Sequence, residues 1–112
     1  MKKIQCVIRP QKLEDVKKAL NDAGIAGMTV REVSGCGKQK GFVYHYRATE
    51  KLVNLLPKIE IDVVVIDSEV DKVIGIMVAA ARTGEPGDGK VFVSDILEAV
   101  RIRTGEKGAA IL

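Results

Sequence analysis

At 112 residues, 46% hydrophobic and 29% charged, the chain is sized for one compact soluble domain. Aromatics make up only 4% (Phe42, Tyr44, Tyr46 and Phe92, with no Trp), so the core has to be aliphatic, and base-stacking or aromatic-cage chemistry is disfavoured. The net charge of +3 is spread among interspersed acidic residues, so no polyelectrolyte tail argues for nucleic acid.

In chain order, Ile4, Cys6 and Ile8 alternate with Lys3, Gln5, Val7 and Arg9, the period of a half-buried strand, which Pro10 stops. Leu13, Val16, Leu20 and Ala23 follow at helical spacing, with Gly24 as the stop. Met28–Gly35 is rich in β-branched residues and predicts a second extended segment. Gly37–Pro57 is then a long loop of twenty-one residues with a short helical possibility over Thr49–Leu56. A loop of that length in a compact domain usually carries function. The order repeats after it. Ile59, Ile61, Val63 and Val65 alternate with Glu60, Asp62, Val64 and Ile66, and Ser68 with Asp71 resembles a capping box. Val70, Val73, Ile74 and Met77 form a helical stripe ending at Gly84, and Val91–Ile96 is a fourth strand. In the tail, Val100–Leu112, Arg101 and Arg103 precede TGEKG and small residues. Two βαβ halves predict an α+β, ferredoxin-like βαββαβ sandwich over residues 1–112, with both helices on one face of the sheet.

The alternation also sorts the sheet's two sides. Ile4, Cys6, Ile8, Ile59, Ile61, Val63, Val65, Val91 and Val93 face the helices. Lys3, Gln5, Val7, Arg9, Glu60, Asp62, Val64, Ile66, Lys90, Phe92 and Ser94 lie opposite, too apolar for a solvated face and too charged for a monomer core. That face is expected to pack against copies of itself, with its charges paired or lining a ligand site. A domain this small buries only about two-thirds of its unfolded surface, so association would help it.

Several classes are disfavoured. The start, MKKIQCVIRP, is broken by Gln5, Arg9 and Pro10 before an export signal could form. The longest weakly polar stretch, Val73–Ala81, is about half of a membrane span. Cys6 and Cys36 lack metal spacing and any C-x-x-C motif, which reads as free thiols in buried strands of a cytoplasmic protein. With one histidine, His-based metal sites and Cys–His pairs are disfavoured.

Two segments could carry chemistry. TGEPGDGK, Thr83–Lys90, has three glycines that permit positive φ, so backbone N–H groups can converge on an anion beside Lys90. Gly84, Gly89 and Lys90 formally satisfy G-x-x-x-x-G-K, but Val91 supplies no hydroxyl and a strand follows instead of a helix. It is therefore not a P-loop. A plain glycine turn is the alternative. A diphosphate-sized cradle is favoured because Lys58, Lys90, Arg101 and Arg103 flank strand ends that this topology can gather. SGCGKQKG, Ser34–Gly41, repeats the glycine-plus-cation chemistry, with Gln39 between Lys38 and Lys40.

The string TGEPGDGKVFVSDILEAVRIRTGEKG resembles the C-terminal signature of the PII nitrogen-regulatory signal proteins. MKKIQCVIRPQKLEDVKKAL, GCGKQKG and LPKIEIDVVV match that family in order and spacing, so the resemblance covers essentially the whole chain. It implies a homotrimer that binds ATP or ADP between subunits and senses 2-oxoglutarate jointly with Mg2+ and ATP. It also implies regulation of nitrogen-metabolism targets through the long loop: an ammonium transporter, a glutamine-synthetase control enzyme, a transcription regulator or nitrogenase. By resemblance, Val7, Gly35 and Val64, with Thr29 from a neighbour, would hold the adenine. Lys38, Gly87, Gly89, Lys90, Arg101 and Arg103 would meet the phosphates. Gln39 would help hold magnesium and 2-oxoglutarate, with Lys58 pairing a carboxylate and the backbone of Gly41 nearby. Phe42, Tyr44 and Tyr46 would contact the target.

The departures are specific. Lys38 replaces the family's usual arginine, so a bidentate fork becomes a point charge. Asp62 replaces a glutamate. The common loop HTELYRGAEY is FVYHYRATEK here, and the tyrosine that receives a uridylyl group falls on Lys51, so no such modification is expected there. Thr49 stands after Arg47-Ala48, near where some relatives carry a phosphorylated serine, but R-x-[ST] strings are common by chance. A sensor of another metabolite is the nearest alternative. An RNA-recognition module shares the topology, and KGFVYHY resembles the start of its aromatic motif, but the match fails at Val43 and His45. The first strand also has no aromatic. An enzyme is disfavoured because no nucleophile–base pair stands in a recognisable motif; Lys58 or Asp62 assisting slow ATP cleavage would be incidental.

Overall fold

Alternation in the first strand is realised as β1 (Lys2–Ile8), in which Ile4, Cys6 and Ile8 are buried and the residues between them are half-exposed. The structure, a computed structural model of the chain, describes residues 1–36 and 55–112 in full, and 42–46 and 49–53 by backbone alone. The other elements are α1 (Leu13–Asp22), β2 (Thr29–Gly35), β3 (Phe42–Tyr46), β4 (Thr49–Val53), β5 (Leu56–Val65), α2 (Val70–Ala81) and β6 (Gly89–Asp95). The main sheet runs β2-β5-β1-β6 with every neighbouring pair antiparallel. β1 and β2 are therefore parallel and split by β5, the arrangement of a ferredoxin-like fold with one helix per crossover. The expected fold class holds.

The core is aliphatic. Ile4, Cys6 and Ile8 of β1 and Ile59, Ile61, Val63 and Val65 of β5 pack against Val16 and Leu20 of α1 and Val73, Met77 and Ala81 of α2. The i, i+4, i+8 spacing on α2 puts all three of its buried residues on one stripe. Cys6 lies in this layer, and burial pushes its thiol up to about 11, which makes it inert.

Four local expectations change. The stretch 49–53 is the strand β4, paired with β3, not a helix, and Leu56 and Pro57 already belong to β5. Ser68 makes no cap: a 3-10 turn over Asp67–Glu69 precedes α2, and its N-cap, Glu69, has no side-chain capping bond. Val93 points to the helix side yet is 44% exposed, because β6 is an edge strand and α2 packs over β1 instead. Cys36 follows the end of β2 and is exposed, not buried in a strand.

Beyond β6, Ile96 N–H donates to the Met1 carbonyl at 3.1 Å, and the Met1 ammonium pairs with Asp67 at 2.9 Å. The tail turns back on itself: Arg101 N–H donates to Glu106 O at 2.8 Å and Gly108 N–H to Ala99 O at 2.9 Å. Leu97 and Ile102 on this arm are almost wholly exposed. Among the described residues no helix is long and apolar enough to cross a membrane.

Candidate functional site

At the end of the sheet where β1 finishes and β6 begins, an open cleft of about 650 Å³ lies between β1, β5, the end of β2 and the 83–90 turn. Val7 and Phe92 give it an apolar wall, Gly35, Cys36 and Leu56 one rim, and Lys58, Lys90 and the segment 85–89 the polar rim. Two of its glycines are required by geometry. Gly87 has φ of 101° and Gly89 has φ of 109°, backbone that L side chains rarely adopt. A Cβ at Gly89 would lie 1.7 Å from the Val7 carbonyl oxygen, so glycine alone lets β6 close on β1 here.

Side chains brace the turn. Asp88 Oδ2 accepts from the backbone N–H groups of Thr83 at 2.9 Å and Gly84 at 2.8 Å. Its Oδ1 accepts from the Thr83 hydroxyl and from Arg9 Nε, the latter at 3.2 Å. Arg9 Nη2 also donates to Pro86 O at 2.7 Å. The Thr83 hydroxyl, then the Thr83 and Gly84 N–H groups and Arg9, hold the Asp88 carboxyl far below the usual range, so it is ionised. Lys58 Nζ donates to Gly87 O at 2.9 Å, tying β5 to the same turn. Its pKa is lowered, first by burial and then by the nearby Arg9 charge, with Asp88 opposing. A concave site with positive-φ backbone, two lysines and an apolar wall suits an anion carrying a flat apolar group.

Along the same sheet face runs a second polar system. Gln5 Nε2 donates to Glu60 Oε1 at 2.6 Å, and Arg31 Nη2 donates to Glu60 Oε2 and, at 3.1 Å, to Asp62 Oδ2. Lys3 Nζ stands 3.9 Å from Asp62 Oδ2. Asp62 Oδ1 is buried with no hydrogen-bond partner among the described residues. Adjacent registers, Arg31 opposite Glu60 and Gln5 opposite Asp62, create this cross-strand ladder. The expectation that this face carries paired charges is met within one chain.

The structure brings part of the expected site together. Val7, Gly35, Lys58, Gly87, Gly89 and Lys90 line one cleft. Thr29, Val64, Arg101 and Arg103 do not. Thr29 pairs with Asp62 and Val64 with Lys3, toward the far end of the same sheet. Arg101 bonds to Glu106 at 3.0 Å and to Ile111 O at 3.3 Å on the returning tail. The expected gathering of Lys58, Lys90, Arg101 and Arg103 is therefore half realised in one chain, because the tail folds on itself and not over the turn. Lys38, Gln39 and Gly41 lie outside the described residues, and Phe42, Tyr44, Tyr46 and Lys51 are placed by backbone alone. Arg9, Thr83 and Asp88 were not anticipated from the sequence. The signal for them is an acid set between two glycines, five residues after a threonine, as in short side-chain-to-backbone turns.

Residues 1–106 match the family model described as "Nitrogen regulatory protein P-II". A "Nitrogen regulatory protein P-II" of Microchaete diplosiphon is 55% identical over 107 residues, 96% of each chain. The "Nitrogen regulatory protein GlnK" of Escherichia coli (strain K12) is 51% identical over 112 residues, the full length of both. With the ferredoxin-like sheet and the glycine turn at the places this resemblance requires, the chain belongs to the P-II nitrogen regulatory protein family.

Proposed function

We propose that this protein is a nitrogen-regulatory signal protein, not an enzyme, that binds ATP or ADP, and 2-oxoglutarate with Mg-ATP, where subunits meet. The observation that carries the reading is the convergence of Val7, Gly35, Lys58, Gly87, Gly89 and Lys90 on one cleft. Val7 and Phe92 offer the apolar wall a base needs, and the glycine turn with Lys90 offers charge and backbone donors to phosphates. Thr29, Val64, Arg101 and Arg103 point to the same ligand but lie away from this cleft. Val64 is six residues along β5 from Lys58, about 20 Å in an extended strand. A second copy presenting its own Thr29, Val64, Arg101 and Arg103 would complete the site, which supports assembly as a homotrimer. The exposed side chains of Phe92, Leu97 and Ile102 are surface for such contacts to cover.

Magnesium fits only as part of the ligand. Among the described residues no group of three or more His, Cys, Asp or Glu side chains can hold a metal ion. The cation would come on the ATP phosphates, with Gln39 as its protein contact, since hard cations take oxygen donors. Lys58 would release or share its bond to Gly87 O to pair the 2-oxoglutarate carboxylate. Gln39, Gly41 and Lys58 flank the 42–53 hairpin in sequence, so ligands there would bias its conformations and its grip on a target. Targets of nitrogen control, such as an ammonium transporter, a glutamine-synthetase control enzyme, nitrogenase or a transcription regulator, fit this reading in a cytoplasmic setting.

Calorimetry with ATP, ADP and 2-oxoglutarate is the test. ATP and ADP bind competitively, and 2-oxoglutarate binds only once Mg-ATP is saturating. Failure of both nucleotides to bind would overturn the reading. Nucleotide binding without 2-oxoglutarate would redirect it to a sensor of another metabolite, for which Lys38 and Asp62 are the substituted positions.

A further inference from the structure

Asp88 stands between the two glycines of the cradle, yet neither of its oxygens is left for a ligand. Oδ2 is taken by Thr83 N–H and Gly84 N–H, and Oδ1 by the Thr83 hydroxyl and Arg9 Nε. The same guanidinium holds the Pro86 carbonyl at 2.7 Å. One carboxylate and one guanidinium thus bind the start, the middle and the end of the 83–88 turn to Arg9, the residue just after β1. A bare carboxylate here would repel an incoming anion. Arg9 cancels its charge locally, and of the other charged side chains on the rim the two lysines, Lys58 and Lys90, outnumber the one acid, Glu85.

We propose that Arg9, Thr83 and Asp88 are positioning residues that hold the turn in its phosphate-accepting shape before the ligand arrives. Affinity for a nucleoside di- or triphosphate then depends on Thr83 and Asp88 side chains whose polar atoms are bonded within the turn and to Arg9 instead of to the ligand. This rests on the nucleotide reading above and goes beyond it by assigning the preorganisation of the cradle to named groups. Without the clamp, two positive-φ glycines and their neighbours would have to be ordered at the moment of binding.

The sign of one substitution separates this from a charge effect. Asp88→Asn removes a negative charge beside the cradle, so electrostatics alone predicts tighter ATP binding. The positioning role predicts weaker binding, by roughly tenfold, because an amide has a single acceptor oxygen for four donors. ATP, ADP and adenosine are titrated by calorimetry into wild type, Asp88→Asn, Thr83→Val and Thr83→Ser. ATP and ADP weaken in Asp88→Asn and Thr83→Val, Thr83→Ser restores most of the affinity, and adenosine, lacking phosphate, is unchanged. Amide exchange at Gly84 in the ligand-free protein is slow in wild type and fast in Asp88→Asn. If wild type binds neither ATP nor ADP, the nucleotide reading falls and this assignment with it. If wild type binds and Asp88→Asn binds equally or more tightly, the assignment alone is overturned. Should Asp88→Asn not fold, Thr83→Val with wild-type affinity overturns it in the same way.

Discussion

The two faces of the main sheet are built from the same strands and obey different rules. On the helix side, Ile4, Cys6, Ile8, Ile61 and Val63 are almost completely buried, and nothing polar interrupts them. On the other side, one strand position further along each time, Gln5, Arg31, Glu60 and Asp62 bond to one another beside Val7 and an exposed Phe92. The first face is complete in a single chain and explains why the chain folds. The second carries a buried carboxylate oxygen without a partner among the described residues, and the open cleft. The face that is finished alone serves stability, and the open face is the one on which the proposed recognition rests.

The contrast can be broken at its seam first. Gly89→Ala places a Cβ into the Val7 carbonyl at a φ of 109°, so β6 must leave β1 and both faces fail together. A loss above about 4 kcal/mol is expected in urea denaturation, and a cooperative transition near that of wild type would contradict the close approach. On the closed face, Met77→Ala should cost about 2–5 kcal/mol, measured the same way, without altering ligand affinity beyond the effect of unfolding. On the open face, Arg31→Ala strips Glu60 and Asp62 of their shared donor and should cost about 1–3 kcal/mol. A double-mutant cycle with Gln5→Ala would show whether the ladder is one unit.

Lys58→Ala should leave stability near wild type and weaken anionic ligands about tenfold by calorimetry. Its pH dependence has a definite sign. The folded pKa is lowered by burial and by Arg9, so the ammonium is lost at a lower pH than that of a free lysine near 10.5. Anion affinity therefore falls as pH rises through that lowered value. Over the same window the stability contribution of Lys58 improves, because a disfavoured charge is being removed. Smallest of all, Ile102→Ser on the fully exposed arm should change monomer stability by no more than about 0.5 kcal/mol. If the open face assembles as proposed, the same variant lowers the mass seen in sedimentation; an unchanged mass removes Ile102 from the contact.

Most of the closed face was legible in the sequence, since period-two alternation in residues 3–9 and 59–66 and the stripes at Val16, Leu20, Val73 and Met77 each depend on local spacing alone. The β3–β4 hairpin was not legible, because Arg47-Ala48 lacks the Asn-Gly or Asp-Gly chemistry that marks tight hairpins. The ladder joining Gln5, Arg31 and Glu60 depends on a pairing register between residues as much as 55 apart, which no window of sequence contains. Half of the cleft, Gly87, Gly89 and Lys90, was legible as a glycine-rich anion turn. Arg9 was seen only as a residue on the polar side of a strand, because its partner lies 79 positions away.

The clamp on Asp88 has a consequence for chemical ageing. Among aspartate-containing pairs, Asp-Gly is the one most prone to cyclise to a succinimide and reopen as isoaspartate, because glycine leaves its N–H open to attack the preceding side chain. That reaction needs a carboxyl free to swing toward the Gly89 nitrogen and carrying a proton to leave as water. Asp88 has neither freedom, being held from Thr83, Gly84 and Arg9 and ionised far below the usual range. The bonds that shape the turn therefore also protect its backbone from rearrangement over the life of the protein.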